Sequence, residues 1–297
     1  MKLFDNKTEG LVNFSDLHKP GVRIAYALMF ICLVIMAAAC LIPVLWVFLS
    51  GFKEPAEMYK VPATFFPEHI SFGKVTAIMS KINIKKYFGN TLIIIIGSWV
   101  FDILFNGLAG YVLSRLKPKG TPILETLIFW SMLLPGISMA PLYMTFVDIP
   151  IIHVNLVGSY LPMFLMAGAN AFNIMLFRNF FNGIPMDYLE AARIDGCSDM
   201  GIFGRIILPL SKPIVVVVSI FNIIASWSNF MWPYLLLGST DREPLSVLLY
   251  TLSLGTLSIQ DNELMLIIMI SVLPPIIIYM LLSKHITGGI NMSGIKG

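Results

Sequence analysis

Six stretches of this chain run for about a full membrane width with almost no charged residue, and that leaves few ways for it to fold. They are residues 24–52, 91–114, 126–147, 154–177, 213–240 and 264–283, and Asp102 is the one Lys, Arg, Asp or Glu inside any of them. A hydrocarbon core about 30 Å thick is crossed by roughly 20 apolar helical residues, so each run is long enough to span. A helix also satisfies its own backbone donors and acceptors, which hydrocarbon requires. The expected fold class is therefore all-α integral membrane, with six transmembrane helices. Composition agrees: hydrophobic residues make up 57% and charged residues 12%, against about 45–50% and about 25% in soluble domains. That balance argues against a cytosolic enzyme and against an ordinary secreted domain.

The domain layout follows as a polar arm, 1–23, a six-helix membrane domain, 24–283, and a short tail, 284–297. The first run is too long for a signal-peptide core and no small-residue cleavage site follows it, so it is expected to be retained. With the N-terminus inside, the outer segments carry seven of the 20 basic residues: Lys53, Lys60, Lys74, Lys81, Lys85, Lys86 and Arg242. Six of these lie in one long loop, 53–90, while the short outer loops 148–153 and 241–263 hold one between them. Cytoplasmic loops carry the excess of Lys and Arg, so both termini are expected in the cytosol. The net charge of +3 is small and dispersed, and nucleic acid is not an expected partner. Cys32 and Cys40 fall in an apolar run and Cys197 in a polar one, which implies no disulfide framework. Pro43, Pro135, Pro141, Pro162, Pro233, Pro274 and Pro275 fall inside the runs. They read either as bends around a path or as ordinary membrane-helix kinks.

Between the fourth and fifth runs lies a segment, 178–212, too long for a tight turn and too short for a domain. Pro185 suits the opening of a helix, Asp187 and Glu190 its positive end, and Gly196 the left-handed residue that closes it. Ser198 can cap a second short helix running to about Arg205, after which Pro209 and Pro213 mark re-entry into the membrane. The result is a compact knob, with Ala191 and Ala192 keeping one patch small enough for a partner backbone to come close. Glu190 and Arg193 lie three apart and can instead pair with each other for about 0.2–0.5 kcal/mol.

Glu190-Ala191-Ala192, Gly196 and Ile206 with Leu208-Pro209 reproduce the spacing of the E-A-A, G, I-x-L-P motif, and the chain resembles the membrane subunits of bacterial ABC importers. The longer form, which adds Arg193 and Asp195, resembles the carbohydrate branch. Further matches are Leu134-Pro135-Gly136, Pro141-Leu142-Tyr143, Leu176 through Phe181, and the tail from Thr287 to Gly297; with the six-run layout they look most like the smaller permease of the maltose transporter. The resemblance implies the type I importer permease fold with cytosolic coupling helices within 184–209, in the bacterial plasma membrane. It implies a second permease, a different chain, a dimer of ABC ATPase subunits and an extracytoplasmic solute-binding protein as partners, with lipid around them. ATP and magnesium would belong to the ATPase; this chain has no G-x-x-x-x-G-K-[ST] loop to cradle phosphates and is expected to be a permease without catalytic residues or cofactors of its own. Glu190 through Gly196, with Ile206, Leu208 and Pro209, would couple the permease to the ATPase.

Candidate residues for the pathway come from polar groups in apolar runs. An unpaired charge at the bilayer centre costs roughly 2.5–3.5 kcal/mol, so Asp102 must face protein or water. Asn106, one turn on, shares its face. The pair reads as a polar wall of the path or as a hydrogen-bonded tie between helices, and Asn170 and Asn173 carry the same two readings. Asn222, Trp227, Asn229 and Trp232 bring amides and indoles, the groups that stack on sugars and bond their hydroxyls. Ser228 separates Trp227 from Asn229 where relatives commonly have W-N directly, and Trp232 also suits an interface anchor. His18, His69, His153 and His285 show no metal-ligand spacing, so no metal site is expected. An ion-coupled secondary carrier is the alternative; it calls for a relay of intramembrane charges, and the runs hold only Asp102.

Overall fold

The computed structural model describes residues 20–70, 73–133, 139–255 and 259–290, with side chains as far as residue 281. Every regular element among them is helical: α1 (Pro20–Ser50), α2 (Pro55–Met58), α3 (Gly73–Lys81), α4 (Ile84–Leu116), α5 (Thr121–Leu133), α6 (Met139–Val147), α7 (Leu161–Gly168), α8 (Ala171–Asn182), α9 (Asp187–Ile194), α10 (Asp199–Leu210), α11 (Lys212–Ser228), α12 (Met231–Leu237), α13 (Leu245–Ser253) and α14 (Asp261–Ile290). Among the described residues three helices, α1, α4 and the Asp261–Leu281 part of α14, are long and apolar enough to cross a membrane. Two bent pairs, α7 with α8 and α10 with α11, bring the number to five. The expected run 126–147 is divided between α5 and α6, and Leu134-Pro135-Gly136 lies outside the described residues. So do the arm as far as residue 19 and the end of the tail, 291–297.

Of the bends, only the one at Ser211 falls where prolines point, between Pro209 and Pro213. α7 and α8 meet at 42° across Ala169 and Asn170, and α10 and α11 meet at 82° at Ser211. The run 213–240 breaks at Asn229, whose backbone is extended at φ −70° and ψ 120°. Pro162 and Pro213 instead sit in the first turns of α7 and α11, where the missing N–H has no helical partner to lose. Pro43, Pro274 and Pro275 are carried inside unbroken helices. Most of these prolines open or ride in helices, and asparagine and serine supply the corners.

The chain divides into two compact units, the first holding α1, α2 and the Gln260–Met269 segment, the second holding the remainder. In the first, Gly51 lies so close to α14 that a Cβ there would stand 3.0 Å from the Leu266 Cα. Asn262 Nδ2 donates to the Lys53 carbonyl at 3.0 Å, and Tyr59 donates its hydroxyl to Asp261. Buried Glu57 accepts from Thr64 and from the Glu68 backbone, both at 3.1 Å. Residues 53–70 are thus a built loop. At its surface the Lys60 ammonium, 2.6 Å from Glu68, holds that carboxyl below its usual range. The apolar stretch of α1 has no buried residue, so lipid or another chain must cover it.

In the second unit α4 is the central rod. Gly110 lets α8 approach it closely: a Cβ there would come within 2.7 Å of the Phe177 Cβ and 2.9 Å of the Arg178 nitrogen. Such small residues let membrane helices pack where hydrophobicity alone gives no reason to associate. α5 is tied to α8 by a two-pronged ion pair, Arg178 Nε to Glu125 Oε1 at 2.9 Å and Nη2 to Oε2 at 3.0 Å. One widened, π-type turn interrupts α4, at Asp102–Asn106, and another closes it, at Val112–Leu116.

Candidate functional site

The knob forms much as its residues dictate. α9 starts two residues after Pro185, with Asp187 and Glu190 in its first turn, where the helix end is positive. Gly196 turns the chain at φ +81°, a conformation that costs a side chain with a Cβ roughly 1–2 kcal/mol. Ser198 then caps α10, its Oγ accepting from the Gly201 nitrogen at 3.2 Å. α10 runs on through Pro209 to Leu210, further than Arg205, and holds a widened turn of its own at Phe203–Ile207.

One face of the knob is sunk into the second unit. Leu189, Ala192, Ile202, Phe203 and Ile207 are buried in one apolar cluster with Tyr111 of α4, Phe177 and Phe181 of α8 and Val218 of α11. Ile206 and Leu208 pack against its edge. Glu190, Ala191, Arg193, Asp195, Gly196 and Pro209 are exposed, as are Tyr188, Met200 and Ile194, the last at 86%. Consecutive helical residues point about 100° apart, so Ala191 faces out while Ala192 faces the chain's own core. The patch of two small residues is therefore a patch of one. Arg193 pairs with Asp199 of α10 at 3.2 Å, across the Gly196 turn, and not with Glu190.

Arg115, at the end of α4, donates to the carbonyls of Phe181 and Ile184 and lies 3.0 Å from the Met186 sulfur. It ties α4 to the strip of chain leading into the knob. In the sequence it reads only as one of the inner positive charges; the link crosses more than sixty residues and leaves no local signature.

A second constellation lies deeper in the same three helices. Asp102 is fully buried and its two oxygens accept four hydrogen bonds. Asn106 Nδ2 donates at 2.6 Å from α4 itself, Asn173 Nδ2 at 3.0 and 2.9 Å from α8, and Asn222 Nδ2 at 2.9 Å from α11. Asn106 also receives the Asn170 backbone nitrogen at 3.1 Å and donates to the Ala167 carbonyl at 2.8 Å, satisfying backbone groups freed by the α7–α8 bend. Asn170 caps α8, its Oδ1 accepting from the Asn173 nitrogen at 3.0 Å. Five of the polar candidates thus form one knot. The other three stand apart. Trp227 meets Phe88 edge-on at 5.8 Å, the Asn229 carbonyl accepts from Ser246, and Trp232 packs on Phe146 at 6.2 Å. Trp232 also lines an open apolar cleft of about 460 Å³ with Leu142, Leu165 and Met166. Among the described residues no group of His, Cys, Asp and Glu is placed to hold a metal.

A family model described as binding-protein-dependent transport system inner membrane component matches residues 106–291, from the knot through the knob into α14 and beyond. The arabinooligosaccharides transport system permease protein AraQ of Bacillus subtilis (strain 168) is 30% identical over 285 residues, covering 93% of this chain and 96% of AraQ. The polygalacturonan/rhamnogalacturonan transport system permease protein YtcP of the same organism is 28% identical over 280 residues, covering 89% and 96%. A chain from a bacterial ABC transporter involved in the import of the acidic polysaccharide alginate shares the fold, with a TM-score of 0.78 at 24% identity over 93% of this chain and 99% of that one. This chain is a member of the family of binding-protein-dependent transport system inner membrane components.

Proposed function

We propose that this chain is the permease subunit of an ATP-driven importer that moves a sugar or oligosaccharide across the bacterial plasma membrane. The observation that carries the reading is the two-sided knob: its apolar face belongs to the core of α4, α8 and α11, while Glu190, Ala191, Arg193, Asp195 and Gly196 are exposed around the left-handed turn. Such a part suits the transfer of a push from outside the chain to the spans. The names of AraQ and YtcP, both permeases of saccharide transport systems, support the cargo class.

In this reading the protein has six spans, α5 and α6 making the third, and both termini face the cytosol. α9 and α10 are the coupling helices and enter a cleft in a separate ATPase, present in two copies and holding ATP and magnesium. A second, different permease completes the pathway, and an extracytoplasmic solute-binding protein loads it. Glu190 is exposed and makes no side-chain bond among the described residues, which leaves it free to meet a polar group of the ATPase. Trp227, Asn229 and Trp232 remain the pathway candidates, because the amides around Asp102 are already committed to one another.

Glu190→Lys is expected to cut uptake of oligosaccharide by cells at least tenfold with the amount of chain in the membrane unchanged. Cysteine at Ala191 is expected to crosslink to a nucleotide-binding chain. Wild-type uptake by Glu190→Lys combined with Gly196→Val overturns the reading. Uptake that survives ATP depletion while the ion gradient is held favours the ion-coupled carrier.

A further inference from the structure

The Asp102 knot and the knob's apolar socket grip the same three helices. On α8 the knot residue Asn173 lies four residues from Phe177 of the socket, and on α11 Asn222 lies four residues from Val218. Four helical residues rise about 6 Å. On α4 the two grips are further apart, at Asp102 and Tyr111. Three rods held at one level can pivot about it. Held at two levels, they keep their mutual tilt.

The two grips also fix different things. Apolar side chains pack without strong direction, and in a membrane the lipid competes with them on nearly equal terms. A carboxylate taking four N–H bonds from three helices sets their axial register and rotation, because the bonds weaken steeply with distance and angle. Every one of the four is donated by an asparagine, so the knot needs no proton on Asp102. Its oxygens are committed, which makes it poor as a binding site and good as a fastening.

We infer that Asp102 is a positioning residue that makes α4, α8, α11 and the knob move as one body, so that displacement of the knob becomes displacement of the spans. The consequence for transport rests on the importer reading; the rigidity does not.

The test uses the complex purified from membranes through a tag on this chain, with Cys32, Cys40 and Cys197 replaced by alanine. Spin labels on cysteines at Met200, exposed on the knob, and Ile224, exposed on α11, report the distance between them. The unaltered knot is expected to give one narrow distribution. Asp102→Asn is expected to broaden it at least twofold, and Asn222→Ala, which removes one bond from one helix, to broaden it less. Asp102→Asn joined with Asn173→Asp restores one carboxylate among three amides and is expected to narrow it again. In vesicles with ATP and a panel of oligosaccharides, Asp102→Asn is expected to keep hydrolysing ATP while moving about tenfold less sugar per ATP. Unchanged distances in both single variants, or a double variant as broad as Asp102→Asn, overturn the inference. Absence of ATP-driven uptake with the unaltered knot overturns the importer reading instead, and the label distances still decide the fastening.

Discussion

The knob's socket and the Asp102 knot hold the same helices by opposite means. The socket is nine buried side chains with one polar atom among them, the Tyr111 hydroxyl, and its strength comes from filled volume. The knot is one carboxylate and three amides, and its strength comes from direction. Volume can be lost by degrees, whereas a missing donor is missing entirely. The placement suits the surroundings. On the proposed reading the socket joins the membrane spans to a part that reaches beyond them, where burial from water contributes about 25 cal/mol per Å². The knot lies deeper, where apolar contact gives little preference for one helix arrangement over another.

The largest effect is expected in the socket. Phe203→Ala should destabilise the chain by about 3–4 kcal/mol and Phe203→Leu by about 1 kcal/mol, following the volume removed. Equilibrium unfolding in mixed micelles checks this, and equal losses for the two would break the comparison. In the knot the outcome should not follow volume. Asn173→Ala and Asn173→Leu are each expected to cost about 2 kcal/mol, since both remove the same donor from a buried carboxylate. A leucine variant as stable as the wild type would mean that packing holds the knot as well. The smallest effect belongs to Arg115, a polar clasp at the edge of the apolar end. Arg115→Met should cost about 1.5 kcal/mol by stranding the Ile184 carbonyl, the Phe181 carbonyl keeping the Ile184 N–H at 3.0 Å, and should raise hydrogen exchange at residues 183–187 before it alters exchange at α11.

What could be read from the residues, and what could not, divides along sequence distance. The helix after Pro185, the turn at Gly196 and the cap at Ser198 are local features, and each appears where its chemistry puts it. Asp102 and Asn106 share a face for the same reason. That Asn173 and Asn222 join them could not be read, because those links span 71 and 120 residues. Which of two adjacent alanines faces inward depended on where the socket lies, not on α9. The widened turns carry no residue signature, and the corner at Asn170 was masked by Pro162, which opens a helix instead, whereas the corner at Ser211 lies between Pro209 and Pro213, where re-entry into the membrane was expected.

The widened turns of α4 bear on how this protein can change over evolutionary time. A turn closed by an i→i+5 bond takes in one more residue than a regular turn and leaves the helix faces on either side near their former bearings. Each such turn is therefore an insertion already absorbed. Descendants of the same ancestral gene can lose a single codon at 102–106 and still aim Tyr111 at its neighbours, whereas the same change between 84 and 101 rotates everything after it. Length differences among relatives in this helix are expected to collect there and at its end, past Tyr111.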